Sequence, residues 1–385
     1  MHDAAPLKEA AVKVPRILVM GVGSCGARAV ARLNKLSPVP DAVAVDTDIR
    51  LLESISTKQV IHVGASVTRG MSAGGDVELG RQSIEKDSSA IRMQLKQVDL
   101  LVLVTGLGGG TGSGAVPVIT RIAREAGSLV LVMASTPFAF EGKMAARIAD
   151  EAVKRIRTHA DAVIRIPNEK LVERGETDLP VEEAFARSHR VMLMGITSLW
   201  RMLSTNGICG LDFACIHTML RNCDGFCHFA GVEGSGRDRA AAVADGLLEH
   251  PLLNRGKLLS AAQGVVIGFT GGEDLRLSEI QIVMDRIQEK LPEEAWVNFG
   301  VVTDSAFEKR LSAFVLAAEQ WKEPLVDAAN RQLGFFGGKH KVEGQGELPL
   351  EAVGKGEFSY VDPTIHNNQD LDVPAYIRRA IKLPR

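Results

Sequence analysis

The chain reads Gly108-Gly109-Gly110-Thr111-Gly112-Ser113-Gly114 between two apolar segments. The run Leu100 to Val104 before it predicts a buried strand, and Ala115 to Ala123 after it predicts a helix. Five glycines in seven residues allow backbone N–H groups to converge on an anion at the start of that helix, where the helix dipole favours negative charge. Thr111 and Ser113 add hydroxyl donors. The stretch predicts a phosphate-binding loop rather than a flexible glycine turn, and it lacks the Gly-Lys-Ser/Thr ending of a Walker A loop.

A second glycine-rich segment, Gly21-Val22-Gly23-Ser24-Cys25-Gly26, has the G-x-G-x-x-G spacing of dinucleotide-binding loops, with Asp46 about 20 residues later. An NAD-binding protein is therefore an alternative from another functional class. That alternative leaves the glycines at residues 108–114 without a role.

Strands and helices alternate along the first half of the chain. The predicted strands are Ile17–Met20, Val43–Val45, Val60–Val63, Leu100–Val104 and Leu129–Ala134. Residues 21–27 predict a turn followed by a helix through Leu33, and residues 80–97 predict another helix. This alternation predicts a parallel α/β sheet with ligand loops at the carboxyl ends of the strands. Asp178-Leu179-Pro180 opens a long helical pattern, with Asp178 as the cap residue and Pro180 in the first turn.

Composition narrows the class of protein. The formal net charge of −2 over 385 residues lacks the excess of positive charge that is typical of nucleic-acid-binding proteins. No apolar run approaches the roughly 18 residues of a spanning helix, and the N-terminus resembles no signal peptide, so we expect a cytoplasmic protein. Five cysteines predict reduced thiols. A zinc site is an alternative for the group Cys209, Cys215, Cys223, Cys227, His217 and His228, but its spacings fit no standard pattern and no metal site is expected.

Further motifs occur in a fixed order along the chain. They are Thr68-Arg69-Gly70, Pro137-Phe138, Phe140-Glu141-Gly142, Ile166-Pro167-Asn168, Leu211-Asp212-Phe213-Ala214 and the tail Leu371 to Arg379. Together with the two glycine segments they resemble the tubulin and FtsZ superfamily. The tail resembles a peptide that FtsZ has and tubulins lack. The chain is therefore identified as a member of the FtsZ family.

This resemblance implies an α/β, tubulin/FtsZ-like fold with a parallel-sheet nucleotide-binding domain, a long central helix and a second α+β domain. The expected segments are an N-terminal arm (1–14), a GTP-binding domain (15–178), a central helix (179–205), a C-terminal domain (206–318), a flexible linker (319–369) and a tail peptide (370–385). The linker is expected to be disordered because it is rich in Gly, Lys, Glu, Pro and Asn without apolar periodicity.

The resemblance also implies which residues bind GTP or GDP. The nucleotide-binding set is Gly23, Ser24, Cys25, Gly26, Arg28, Asp46, Gly74, Gly75, Gly108, Gly109, Gly110, Thr111, Gly112, Ser113, Glu141, Asn168, Phe185 and His189. In this set Gly74 and Gly75 cap the terminal phosphate, Glu141 binds the ribose, Asn168 binds the guanine and Phe185 packs on it. Arg28 stands where the family often has Asn, and it either reaches a phosphate or lies on the surface. Asp46 replaces the usual Asn.

The chain departs from the family pattern at two places in the nucleotide site. The first place concerns recognition of the base, and the second concerns one contact to a phosphate. His189-Arg190 stands in place of an Asn-Asp pair whose carboxylate accepts from guanine. Leaving those guanine donors unpaired would cost about 1–3 kcal/mol each if they were buried. Ala145 stands where the family has a phosphate-binding arginine. We expect relaxed guanine selectivity or weaker binding.

The third departure concerns the catalytic loop. In the family, this loop reaches the nucleotide of the next subunit, and two acids orient the attacking water. Here it reads Gly210-Leu211-Asp212-Phe213-Ala214-Cys215, so that Asp212 remains and Cys215 replaces the second acid. A thiol is mostly neutral at pH 7 because its reference pKa is near 8.5. Losing one water-positioning group can cost roughly 10² or more in rate. Asp212 and Cys215 are the candidate catalytic residues, and the alternative for Asp212 is a surface acid at a helix start.

These observations imply an FtsZ-like protein that binds GTP or GDP, with Mg²⁺ accompanying GTP, and that polymerises head-to-tail. Asp372, Pro374, Tyr376, Ile377 and Arg378 of the tail are expected to bind a membrane-associated division adaptor at the division site. Three hypotheses stay open: an assembling GTPase, a scaffold that binds nucleotide without turnover, and a dinucleotide-binding enzyme.

Overall fold

The computed structural model describes residues 15–36, 38–172, 176, 178–205, 211–223, 225–321, 365–366 and 369–370. The predicted N-terminal arm, most of the linker, Cys209, Gly210 and the partner-binding residues of the tail lie outside the described residues.

A ten-stranded sheet forms the centre of the molecule. Its strands are β1 (Ile17–Val22), β2 (Asp41–Asp46), β3 (Val60–His62), β4 (Leu100–Gly106), β5 (Leu129–Thr136), β6 (Ala162–Pro167), β7 (Gly225–Ser235), β8 (Gly264–Gly271), β9 (Trp296–Thr303) and β10 (Arg310–Ala318). The spatial order is β3-β2-β1-β4-β5-β6-β7-β10-β8-β9. Neighbours from β3 to β7 are parallel, β10 runs antiparallel to β7 and β8, and β8 and β9 are parallel. The sheet is therefore continuous from the N-terminal half of the chain into the C-terminal half.

Helices cover both faces of this sheet. They are α1 (Gly23–Leu33), α2 (Ile49–Ser54), α3 (Ala65–Thr68), α4 (Val77–Lys86), α5 (Ser88–Gln94), α6 (Gly110–Glu125), α7 (Lys143–Arg157), α8 (Val181–Ser204), α9 (Phe213–Asn222), α10 (Arg239–Leu248) and α11 (Leu277–Gln288). Side chains alternate between the faces: Val102 belongs to the core under α1 and α8, whereas Leu103 belongs to the core under α6 and α7. Burial on both faces explains why β1, β4 and β5 are nearly continuous apolar runs.

Two helices begin at glycines that the sequence analysis placed in loops. β1 extends to Val22 and α1 begins at Gly23, so the predicted turn over residues 21–27 is wrong. Likewise α6 begins at Gly110 rather than at Ala115. The reason is close packing, because a Cβ at Gly26 would overlap the carbonyl oxygen of Val104. These glycines let helix backbones approach neighbouring elements instead of forming turns.

Two other helix predictions need correction. The single helix over residues 80–97 is two helices, α4 and α5, with Asp87 between them. The Asp87 carboxylate accepts a hydrogen bond from the backbone N–H of Gly64 at 2.6 Å. Pro180 occupies the N-cap position of α8, so Asp178 is not the cap. With 24 residues, α8 is about 36 Å long.

The structure also describes residues 319–321, which follow the predicted end of the C-terminal domain at residue 318. Trp321 stacks on Trp296 of β9 with the ring centroids 4.9 Å apart. Separately, Ile365–His366 (β11) pairs antiparallel with Gln369–Asp370 (β12), a pairing that the polar composition did not predict. In the part of the chain that is described, no helix is long and apolar enough to cross a membrane.

Candidate nucleotide-binding site

The two glycine segments meet at one edge of the sheet. β1 and β4 are parallel neighbours, so the loops at their carboxyl ends lie side by side. Gly23, at the start of α1, has a φ of +73°, and a Cβ there would lie 3.2 Å from the backbone nitrogen of Gly112. The N-termini of α1 and α6 therefore converge, which concentrates backbone N–H groups and positive dipole ends at this edge.

Glycines of the signature segment have two distinct roles. Gly110, Gly112 and Gly114 permit close packing, since a Cβ at Gly110 would be 2.7 Å from the carbonyl oxygen of Asp76 and the other two would overlap neighbouring carbonyl oxygens. Gly109 differs, because no atom lies within 4 Å of the place where its Cβ would be. The backbone at Gly109 therefore faces open space that an anion can enter.

The second open stretch of backbone comes from the loop before α4. Gly74 and Gly75 have φ values of +57° and +84°, which favour glycine, and no atom lies within 4 Å of either Cβ position. The loop is adjacent to the signature segment because Gly110 packs against Ala73 and Asp76. The positions predicted to cap the terminal phosphate are thus exposed backbone beside the start of α6.

The two hydroxyls of the signature segment make intramolecular contacts. The Ser113 Oγ accepts a hydrogen bond from the N–H of Gly108 at 2.9 Å, which fixes the loop before the helix. The Oγ1 atoms of Thr111 and Thr47 are 2.9 Å apart. Ser113 thus organises the loop, and Thr111 joins it to the end of β2. The Ser113 hydroxyl only accepts in its contact, so its proton stays available, and the role of both hydroxyls toward an anion stays a prediction.

Asp46 is a buried carboxyl group at the end of β2, with 1% of its surface exposed. Its Oδ1 accepts from the backbone N–H groups of Thr47 at 2.7 Å and Asp48 at 3.3 Å. Its Oδ2 is buried and has no hydrogen-bond partner among the described residues. Burial raises the pKa of Asp46 above its usual value, against the opposing effect of these hydrogen bonds.

A polar cluster occupies the position expected to read the base. The Cys25 Sγ lies 3.4 Å from Nε2 of His189 and 3.5 Å from Oγ of Ser135. Arg32 donates from Nη1 to Nδ1 of His189 at 2.8 Å, which assigns the ring proton to Nε2. Burial and the charge of Arg32 lower the pKa of His189 to about 4, so the ring is neutral at pH 7. Burial also raises the pKa of the Cys25 thiol.

This cluster leaves His189 without a free acceptor for a base. One ring nitrogen accepts from Arg32 and the other donates toward Cys25. Arg190 is exposed and forms an ion pair with Glu183 at 2.5 Å. Arg32 is not among the residues predicted from the sequence to line the site. Its position one helical turn after Arg28 is the only local signal that it faces the same side of α1.

Aromatic side chains connect the remaining predicted residues. Phe185 in the first turns of α8 packs edge-on against Phe138 at 5.2 Å, and Phe138 stacks on Phe140 at 5.0 Å. Glu141 is exposed, and its Oε1 accepts from the N–H of Phe138 at 2.8 Å. Asn168 follows β6 and is 4% exposed, while its Oδ1 is buried and unpaired among the described residues. A buried amide oxygen without a partner is costly unless a ligand satisfies it.

The candidate catalytic residues lie apart from these loops. Asp212 is exposed and caps α9, its Oδ1 accepting from the N–H of Cys215 at 2.8 Å. Across the described ranges, no hydrogen bond, ion pair or ring contact joins Asp212 or Cys215 to the glycine segments. About 22 Å of helix separates His189 from the end of α8 at Ser204, shortly before Asp212. Within one chain, the structure does not bring the two halves of the predicted site together.

The cysteines form no metal site in the part of the chain described. There, no group of three or more His, Cys, Asp or Glu side chains is arranged to hold a metal ion. Cys223 and Cys227 are buried in the core. Cys215 instead contacts Asn298, whose Nδ2 donates to Sγ at 3.0 Å.

Comparison with known proteins decides the family. Residues 16–175 match the model of the Tubulin/FtsZ family GTPase domain, and residues 225–320 match that of the FtsZ family C-terminal domain. The cell division protein FtsZ of Pseudomonas aeruginosa is 33% identical over 389 residues, covering 94% of this chain and 96% of that protein. The chain belongs to the FtsZ family. The predicted membership and α/β fold are confirmed, and the NAD-binding alternative is not favoured.

Solved structures agree with this assignment to FtsZ. An empty FtsZ dimer from M. jannaschii superposes with a TM-score of 0.73 at 28% identity, covering 80% of this chain and 88% of that one. A GTPγS-bound protofilament of CetZ2 from Haloferax volcanii has a TM-score of 0.63 at 19% identity, covering 82% of this chain and 97% of that one. At that identity the CetZ2 similarity shows the fold alone.

Proposed function

We propose that this FtsZ-family protein binds GTP or GDP and polymerises head-to-tail into filaments for bacterial cell division. The observation that carries the proposal is the open backbone at Gly74, Gly75 and Gly109, at an edge where two helix N-termini converge. Backbone N–H groups at such an edge bind phosphate without a lysine. An FtsZ-type GTPase domain over residues 16–175 supports a guanine nucleotide as the ligand.

The side chains around this edge fit a nucleoside phosphate. The unpaired Oδ1 of Asn168 can accept from the base, and the exposed carboxylate of Glu141 can accept from ribose hydroxyls. Mg²⁺ is proposed to accompany GTP. Magnesium is usually bound by one or two carboxylates together with phosphates and water, and the unpaired Oδ2 of Asp46 is a suitable oxygen. Its chemistry when bound would be to neutralise charge on the phosphates.

Polymerisation supplies the missing half of the site. Asp212 caps α9 and Cys215 lies in its first turn, and among the described residues neither makes a hydrogen bond to the glycine segments of the same chain. A second copy that places its α9 against those segments would complete the site. Such a contact is heterologous, and it propagates into a filament because it does not close.

Hydrolysis in the proposed filament is weak. Asp212 offers one exposed carboxylate, which can accept a hydrogen bond from a water molecule. Burial and the nearby Asp212 raise the pKa of Cys215, so the second position carries a neutral thiol at pH 7. A neutral thiol accepts hydrogen bonds poorly and supplies no charge.

A scaffold that binds nucleotide without turnover is the second candidate function. Cys215 in the catalytic loop, Ala145 in place of an arginine and the fully occupied ring of His189 favour it. Sedimentation and phosphate release with GTP, GDP and ATP, measured over a range of protein concentrations, separate the candidates. Turnover that rises with protein concentration supports the GTPase, and filaments without phosphate release support the scaffold. Absence of both filaments and nucleotide binding would contradict the whole proposal.

The tail is proposed to bind a membrane-associated division adaptor at the division site. The support is sequence alone: Pro374 precedes Tyr376 and Ile377, and Arg378 adds a positive charge. Deleting residues 370–385 should leave nucleotide binding and filament formation unchanged while abolishing recruitment in cells. Normal recruitment of the truncated protein, or its failure to polymerise, would contradict this role.

A further inference from the structure

The catalytic loop is anchored on the edge strand β9. Gly300 and Asn298 alternate with Phe299, so they share one face of that strand. Leu211 packs on Gly300 so closely that a Cβ there would be 2.5 Å from the Leu211 Cβ. Two residues earlier on the same face, Asn298 contacts Cys215. β9 therefore fixes both ends of the segment from Leu211 to Cys215.

Asn298 and Asp212 are linked through Cys215. The Asn298 Nδ2 donates to Cys215 Sγ at 3.0 Å, and the Cys215 N–H donates to Asp212 Oδ1 at 2.8 Å. Because the thiol keeps its proton, the sulfur acts as a neutral acceptor for the amide. This contact uses the donor end of the Asn298 carboxamide.

The acceptor end of the same carboxamide is unused. Asn298 is partly exposed, and its Oδ1 makes no hydrogen bond to any residue that the structure describes. It therefore offers a neutral acceptor beside the residue that stands in place of the second acid. A carboxamide oxygen can orient a water molecule without carrying charge, as a glutamine does in other GTPases.

We propose that Asn298, on β9 beside this catalytic loop, is a second water-positioning residue, its Oδ1 accepting a hydrogen bond from the attacking water at the next subunit's nucleotide. The inference rests on the proposed GTPase function. In this step the water oxygen bonds to the γ-phosphorus while the bond to the β–γ bridging oxygen breaks. GDP leaves with that oxygen, inorganic phosphate forms, and the released proton passes to solvent. Asn298 orients the water and stays neutral throughout.

Asn298→Leu tests the proposal because leucine has a similar size and no acceptor. Phosphate release per polymerised subunit should fall at least tenfold, while GTP affinity and sedimented polymer stay within twofold of wild type. The matched control is Asn222→Leu, which removes a carboxamide at the far end of α9 that donates to the Thr218 carbonyl oxygen. The control should release phosphate at the wild-type rate.

Asn298→Asp separates water positioning from a structural role. Aspartate keeps an oxygen acceptor but has no N–H to donate to Cys215. If Asn298 only holds Cys215 in place, the Asn298→Asp and Asn298→Leu variants should both lose GTP turnover. If Oδ1 positions the water, the Asp variant should retain at least half of wild-type turnover, because its carboxyl oxygen still accepts from the water.

Three results would overturn the inference. They are an unchanged rate in Asn298→Leu, an equal loss in Asn298→Asp, and a wild-type protein that polymerises without releasing phosphate. The last result leaves nucleotide binding and assembly in place. It would therefore contradict the role of Asn298 and support the scaffold that binds nucleotide without turnover. A protein that does not bind GTP removes the proposed function as well.

Discussion

Gly109→Ala distinguishes a phosphate cradle from a flexible glycine turn. Gly109 has φ −94° and ψ 178°, a conformation that alanine adopts without strain, and its Cβ would meet no atom within 4 Å. Folding should therefore tolerate the methyl group. It should even gain about 0.4–1 kcal/mol, because alanine restricts the unfolded chain. The same methyl group occupies the space through which an anion approaches the backbone.

We expect the Kd for GDP to rise at least tenfold, which is about 1.4 kcal/mol. Thermal unfolding with GDP at 100 times the wild-type Kd measures both effects. The ligand should stabilise the wild type by about 2.7 kcal/mol and the variant by about 1.4 kcal/mol or less. Without GDP, the variant should unfold at the same temperature as the wild type or higher.

Gly114→Ala is the matched contrast on the same helix. Its Cβ would overlap the carbonyl oxygen of Val77 and lie 2.7 Å from the nitrogen of Arg81, so α4 and α6 must separate. Overpacking of this kind costs about 1–3 kcal/mol without any ligand. If Gly109→Ala binds GDP as tightly as the wild type, the phosphate assignment at Gly109 is wrong.

Three further predictions follow from single side chains. Cys215→Asp should raise phosphate release per polymerised subunit, because it restores a carboxylate near Asp212; an unchanged rate with intact filaments would refute the proposed impairment. GTP and ITP, which lacks the exocyclic amine, should bind within about tenfold of each other, and His189→Asp should separate them; a wild-type preference above tenfold would mean that another group reads the amine. Finally, the pKa of His189 is about 4 when folded and 6.5 when unfolded, so the unfolded chain protonates first as pH falls. Its stabilising contribution is complete above pH 6.5 and is lost toward pH 4, about 2 kcal/mol between pH 7 and 5, and denaturant unfolding of His189→Gln should lack this loss.

Much of the fold could be predicted from local sequence. The apolar runs of β1, β4 and β5 and the periodicity of α8 each lie within one segment, where burial on one face or on both leaves a readable pattern. Glycine clusters likewise mark places where the backbone needs freedom. The sequence by itself therefore determined the parallel sheet, the long helix and the edge that is proposed to bind an anion.

Only the tertiary structure decided what individual residues at that edge do. Glycine has the same sequence signal whether it permits packing, as at Gly114, or exposes backbone, as at Gly109, because the difference depends on atoms of α4. The contacts of His189 with Cys25 and of Cys215 with Asn298 join residues 164 and 83 positions apart. Such contacts depend on how strands pair and helices pack, and no local pattern encodes that. The sequence therefore indicated the candidate site, and long-range packing determined which of its groups remain free to meet a ligand.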